Sequence, residues 1–219
     1  MKKLLILLLL PLTGQAAYIW NSGALNGGLG VPIPDNNPAG QLFYMTVTGD
    51  TPTITGVQVV LDLSSTGTGG WGGDIYCYLT NDTGFSVLLN RIGRTATNDI
   101  GANNNSFGNG SQLFTLSDSA TTNVHSALTA AGNPLVGTYK PDGRNIDPAF
   151  SLDTTSSTAN LGVFNGQNSN VKWTLFVADV ASGGTMTLNS WQMTIVPEPS
   201  AAALGALGLA SLVLRRRRR

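Results

Sequence analysis

Apolar side chains recur at every second position along most of this chain, and that alternation is the signature of half-buried strands. Phe43, Met45 and Val47 share one face of the stretch 41–48. Val57, Val59, Leu61 and Leu63 share one face of 54–63, with Gln58 and Asp62 on the other. Ile75, Cys77 and Leu79 alternate with Tyr76 and Tyr78 over 74–80, and shorter patterns cover 85–90 and 112–116. Further on, Trp173, Leu175 and Val177 face together in 171–180, as do Trp191, Met193 and Ile195 in 188–196. No stretch before Pro197 sustains a helical spacing. The strand patterns are separated by turn formers: Gly49-Asp50, the glycine-rich 67–73, Asn81-Asp82-Thr83-Gly84, 103–110 and Ser182-Gly183-Gly184. Many short strands with polar breaks predict an all-β fold, an antiparallel β-sandwich. The segment 117–128 reads as irregular, and 103–106 and 154–160 read as low-complexity loops.

The charge balance excludes some functions. Between residues 18 and 196 the cations are Arg91, Arg94, Lys140, Arg144 and Lys172 against eleven aspartates, a net −6 for that span. A surface of that sign does not suit nucleic acid, whose phosphates need a basic face. Aspartates in a glycine- and asparagine-rich chain suit either solvated turn caps or loop carboxylates for calcium. The one cysteine, Cys77, lies within a strand pattern and can form no internal disulfide, so the fold rests on its own core.

Catalytic signals are sparse. His125 is the only histidine, which rules out a two-histidine zinc site, and no Gly-x-Ser-x-Gly elbow occurs. Scattered aspartates give no clear acid and base for glycoside hydrolysis. A non-enzyme is expected. Trp71 in the glycine-rich loop, with Tyr76 and Tyr78 on the outward face, offers aromatic surface for a sugar ligand or simply covers neighbouring backbone.

Both ends carry address signals. Met1-Lys2-Lys3, the apolar run Leu4 to Leu10, and Gly14 and Ala16 at the small-residue positions predict a signal peptide over 1–16. A lead-in over 17–30 precedes the body, 31–196. At the other end, Pro197-Glu198-Pro199 is followed by an apolar run to Leu214 and by Arg215, Arg216, Arg217, Arg218 and Arg219. Prolines stop a strand and break a helix, so the body is expected to end before Pro197. The apolar run would make a helix of about 22 Å, short of the ~30 Å hydrocarbon core, so it holds a membrane only transiently. The arginines stay on the cytoplasmic side. This three-part layout over 197–219 resembles the PEP-CTERM sorting signal of Gram-negative bacteria. The resemblance implies an exosortase as partner, export across the inner membrane to the surface or outside, and association with exopolysaccharide and biofilm.

Several ordered patterns mark the body: Ile33-Pro34-Asp35-Asn36, the run Ile54 to Leu63, Gly73-Asp74-Ile75-Tyr76-Cys77-Tyr78-Leu79-Thr80, Thr83 to Leu89 and Gly137-Thr138-Tyr139-Lys140-Pro141. Trp173-x-Leu175-x-Val177-x-Asp179 and Leu188-x-x-Trp191-x-Met193-x-Ile195 close the set. Together, over residues 31–196, they resemble the P domain (P/Homo B domain) that follows the catalytic domain of proprotein convertases. The resemblance implies a jelly-roll-like sandwich that stabilises or regulates a subtilisin-like protease. Asp74 and Asp179 match acidic positions of its motifs, and with Asp35 they form the candidate calcium set. The chain departs from the family at Ser64-Ser65, where a histidine is usual, and in the enlarged glycine loop carrying Trp71. Two functions follow as expectations. One is a non-catalytic surface or matrix module binding exopolysaccharide or proteins. The other is an accessory domain for a separate protease.

Overall fold

The computed structural model describes residues 17–48, 53–65, 70–102, 110–127 and 135–198. The expected signal peptide, Pro199, the apolar run and the terminal arginines lie outside the described residues. No helix among the described residues is long and apolar enough to cross a membrane.

The strands are β1 (Tyr18–Asn21), β2 (Val31–Ile33), β3 (Asn37–Thr46), β4 (Ile54–Ser65), β5 (Ile75–Thr80) and β6 (Phe85–Asn90). They continue with β7 (Gly110–Ser117), β8 (Gly137–Tyr139), β9 (Lys172–Asp179) and β10 (Met186–Pro197). One sheet runs β1-β10-β4-β7-β8, with β2 also paired to β10; the other runs β3-β9-β5-β6. Every pairing between these strands is antiparallel except the parallel β7–β8. The all-β sandwich expected from the alternation is the fold observed.

The alternation becomes the core because antiparallel register aligns like faces across each sheet. Trp191 stands opposite Leu61, and Leu61 opposite Phe114, giving a buried row across the first sheet. Phe43, Leu175 and Leu79 form the matching row across the second. Each fully buried side chain of this size contributes about 1.5–3 kcal/mol. Phe164, from a short 3-10 turn at Leu161–Phe164, meets Trp173 edge-on with ring centres 4.8 Å apart. From the lead-in, β1 lays Trp20 against Trp191 at 4.7 Å.

The end of β10 differs from expectation. The strand includes Pro197, which pairs with Ile54 across a bulge, and the Glu198 N–H donates to the Thr53 carbonyl at 2.9 Å. Pro197 is tolerated because β1, the neighbour on the other side, pairs no further than Ile195, so a ladder donor is not missed there. Its carbonyl accepts from Thr55 Oγ1 at 3.3 Å.

A bulge in β3 between Asn37 and Gln41 bends that strand over the outer face of β9. Gly40 sits at its apex with φ +55, and a Cβ there would lie 2.5 Å from Phe176 Cζ.

Candidate functional site

Strand register gathers the sequence-predicted acidic residues at one end of the second sheet. Asp179, the last residue of β9, stands opposite Asn37 of β3 on one side and Ile75 of β5 on the other. Asp35 therefore lies in the turn leading into β3, and Asp74 immediately precedes β5. The Val180 N–H donates to the Asp74 carbonyl at 2.8 Å, locking the two strand ends together. The Gly183 N–H, in the turn after β9, donates to Asp35 Oδ1 at 3.2 Å. Asp35, Asp74, Asp179 and Trp71 all belong to this corner.

Their environments differ. Asp74 is 2 % exposed and Asp179 0 %, whereas Asp35 is exposed. Asp179 Oδ1 accepts the Ala181 N–H at 3.3 Å, and the Oδ2 atoms of both buried aspartates have no hydrogen-bond partner. Burial pushes Asp74 up to about 6, against the pull of the Arg91 guanidinium. Burial also pushes Asp179 up to about 7; the Ala181 N–H and, more weakly, the Asn36 N–H oppose the rise, and the charges of Asp74 and Asp35 add to it. Arg91 Nη2 lies 3.9 Å from Asp74 Oδ1, while Arg91 Nε donates to the Gly73 carbonyl at 2.7 Å. The half-buried Trp71 caps the corner: its ring carbons lie 3.3 Å from where a Cβ on Gly183 would begin. Among the described residues, no three His, Cys, Asp or Glu side chains already form a metal-ligand cluster. The corner thus holds a buried carboxylate pair and a third, outer carboxylate. Such a pair can share a proton or a cation. It is too enclosed to reach a glycosidic oxygen.

The outward aromatics cover one another. Tyr78 stacks on Phe176 with ring centres 4.7 Å apart and planes 14° apart, and Phe85 flanks its other side at 4.9 Å. Tyr76 meets Phe176 edge-on at 6.2 Å. One face of Tyr78 is thus taken by Phe176, while a shallow pocket lined by Pro38, Tyr76, Tyr78, Arg91, Asp147 and Phe176 opens beside these rings.

A second polar cluster is not apparent from sequence spacing. His125, expected in an irregular loop, is 1 % exposed in a short 3-10 turn at Val124–Ser126. Its Nδ1 lies 2.8 Å from Asp142 Oδ2 and its Nε2 3.0 Å from the Arg94 carbonyl. Both ring nitrogens are thus within hydrogen-bond distance of a protein oxygen. Arg144 Nη1 bonds the other Asp142 oxygen at 3.2 Å, and its Nε and Nη2 donate to the carbonyls of Leu152 and Asp153 at 2.8 and 3.0 Å. Asn90 Nδ2 donates to the carbonyls of Arg144 and Ile146 at 2.9 and 3.0 Å. This network fastens the long excursion between β8 and β9 onto β6. Only the local turn signal Pro141-Asp142-Gly143 hinted at it.

No family model matches the chain, and no curated protein does. Two solved structures are similar to it: the serine protease of Aeromonas sobria in complex with its chaperone, and the serine protease of Aeromonas sobria. The first is 12 % identical with a TM-score of 0.43, and the similarity covers 84 % of this chain and 27 % of that one. The second is 12 % identical with a TM-score of 0.42 and the same coverage. The chain thus spans 27 % of the length of the structures it matches.

Proposed function

We propose that this chain is an exported, non-catalytic β-sandwich module that acts as an accessory domain beside a separate subtilisin-like serine protease. The observation that carries the non-catalytic reading is the state of His125. A general base needs a ring nitrogen free to accept a proton beside a nucleophile. Here both nitrogens are engaged, by the Asp142 carboxyl and the Arg94 carbonyl, no nucleophile stands at either, and the ring is buried. The protease partnership rests on the P-domain resemblance of residues 31–196, whose motif residues supply the inward faces of β4, β5, β9 and β10. Exopolysaccharide binding is the weaker reading, because Tyr78 and Phe176 occupy each other's faces.

Delivery is part of the same proposal. Residues 1–16 direct export, and Pro197-Glu198-Pro199, the apolar run and Arg215–Arg219 are read by an exosortase at the membrane. In line with this, Pro197 closes β10 and the Glu198 N–H bonds to Thr53, so the sorting motif begins where the last strand ends.

The test is co-expression of the chain with a subtilisin-like protease from the same cells. The expected result is a longer thermal half-life or a higher active yield of the protease, with no casein hydrolysis by the chain alone. Casein hydrolysis by the chain would refute the non-catalytic reading. Retention on purified exopolysaccharide, abolished by Trp71→Ala, would replace the protease with a polymer as partner. Unchanged delivery and tail removal after replacing Pro197, Glu198 and Pro199 by alanine would refute the sorting role.

A further inference from the structure

We propose that Asp74 and Asp179, with Asp35 on the solvent side, hold one divalent cation beneath the Trp71 ring, and that the donor set selects calcium. This does not rest on the proposed export or protease partnership.

Two observations meet at this corner. The first is a pair of orphans. Buried acceptors in folded proteins are nearly always partnered, and two neighbouring buried carboxylates outnumber the single guanidinium, Arg91, that faces them. Yet Oδ2 of Asp74 and Oδ2 of Asp179 are both buried and unpartnered. The second is topological. The register Asn37–Asp179–Ile75 brings together carboxylates from three segments far apart in sequence, and the Gly183 N–H ties the outermost to the same turn. Asp35, Asp74 and Asp179 contribute three negative charges if all are ionised. Arg91 is the cation facing them, and it leans on the other oxygen of Asp74, its Nε and Nη2 donating to the carbonyls of Gly73 and Asp99 at 2.7 and 3.4 Å. It leaves both orphans unfilled.

The chemistry of the donors narrows the ion. All are carboxylate oxygens, on strand ends and turns that tolerate irregular coordination. That suits calcium, whose oxygen ligands stand at about 2.3–2.6 Å, and not zinc, which favours nitrogen and sulfur. Among the described residues the three acidic side chains do not stand together as a ready-made ligand group, so the buried pair would hold the ion first and the exposed Asp35 would have to turn inward to complete its coordination. The ion would then pin the start of β3, the start of β5 and the end of β9 to one point. Trp71, resting on Gly183, would shield it from solvent.

The experiment uses the purified full chain, stripped with a chelator and titrated with Ca²⁺ and with Tb³⁺. Saturating Ca²⁺ is expected to raise Tm by about 5 °C or more, because the ion binds only the folded corner. Tb³⁺ is expected to luminesce on tryptophan excitation and to be displaced by Ca²⁺. Asp179→Asn should lose both signals while keeping the wild-type circular dichroism. Trp71→Phe should keep the Ca²⁺ shift and lose most of the Tb³⁺ emission. Asp35→Asn, on the exposed side, should fold normally and weaken Ca²⁺ affinity about ten-fold, close to 1.4 kcal/mol. The proposal is overturned if the wild type shows neither a Tm shift nor emission up to about 1 mM, the weak limit for calcium modules. It is equally overturned if Asp35→Asn and Asp179→Asn titrate as the wild type does.

Discussion

Val180 and Asp74 are joined backbone to backbone, N–H to carbonyl at 2.8 Å, and this bond ties the residue before β5 to the residue after Asp179. Asp179 precedes Val180, so the backbones that carry the two carboxyls cannot separate without opening that end of the β5–β9 ladder. The burial that raises both groups is therefore a fixed property of the fold; the Asp35 charge adds to the rise at each, and the Asp74 charge adds at Asp179.

With metal chelated, stability should fall as pH rises. Both carboxyls are raised above their unfolded value of 3.8, to about 6 and about 7, so the native state holds more protons across that interval. The folded state is favoured at the acid side of the window, and the advantage is lost as pH rises through the folded values. Urea unfolding in chelator should give a higher midpoint at pH 5 than at pH 8. The double variant Asp74→Asn, Asp179→Asn should flatten that difference. A midpoint that rises with pH would contradict the burial of the pair.

Asp142→Ala should destabilise the protein by about 3–5 kcal/mol, since it strands His125 and Arg144 without their shared buried anion. Chemical denaturation monitored by tryptophan fluorescence measures this. A loss below 1 kcal/mol would mean that the network is solvated (about the worth of an exposed ion pair).

Gly40→Ala and Gly166→Ala separate crowding from backbone strain. Both glycines have positive φ, +55 and +80, but a Cβ at Gly40 meets Phe176 and the Val177 carbonyl, whereas at Gly166 it meets nothing within 4 Å. Gly166→Ala should cost about 1–2 kcal/mol from conformation alone, and Gly40→Ala about 1–3 kcal/mol more. Equal losses would show that the β3 bulge can move aside.

Cys77 should be inert to thiol reagents in the folded protein. It is 0 % exposed between the sheets, and burial pushes its thiol well above the usual range, so little thiolate forms. Labelling with a chromogenic disulfide should proceed at the global unfolding rate and accelerate only in denaturant. Fast labelling in native buffer would place the residue elsewhere.

The long strands were legible because period-two patterning and burial agree throughout β5, over most of β4 and β10, and in the first half of β9, whose second half is buried on both faces. Val57, Val59, Leu61 and Leu63 point inward as expected, and Tyr76 and Tyr78 outward. The short strands β1, β2 and β8 were not legible. Three or four residues carry too little pattern, and their pairing is decided by partners more than a hundred residues away for β1 and β2. The candidate corner was half legible: Asp35 and Trp71 could be picked out by turn and loop context, and Asp74 and Asp179 through the P-domain resemblance, but only the register shows that they share a site. The His125–Asp142–Arg144 cluster was hidden because its members come from turns without periodicity, where burial is set by tertiary packing alone.

Tyr18 faces Ile195 at one extremity of the β1–β10 ladder, so the chain enters and leaves the sandwich side by side. A load applied between residues 17 and 198 therefore acts across the hydrogen bonds of that ladder and opens them one at a time, like a zip, while β10 keeps its grip on β4. Under tension at its two ends this domain would surrender its first strand early and cheaply. The rest, held by the β4–β10 pairing, would stay folded.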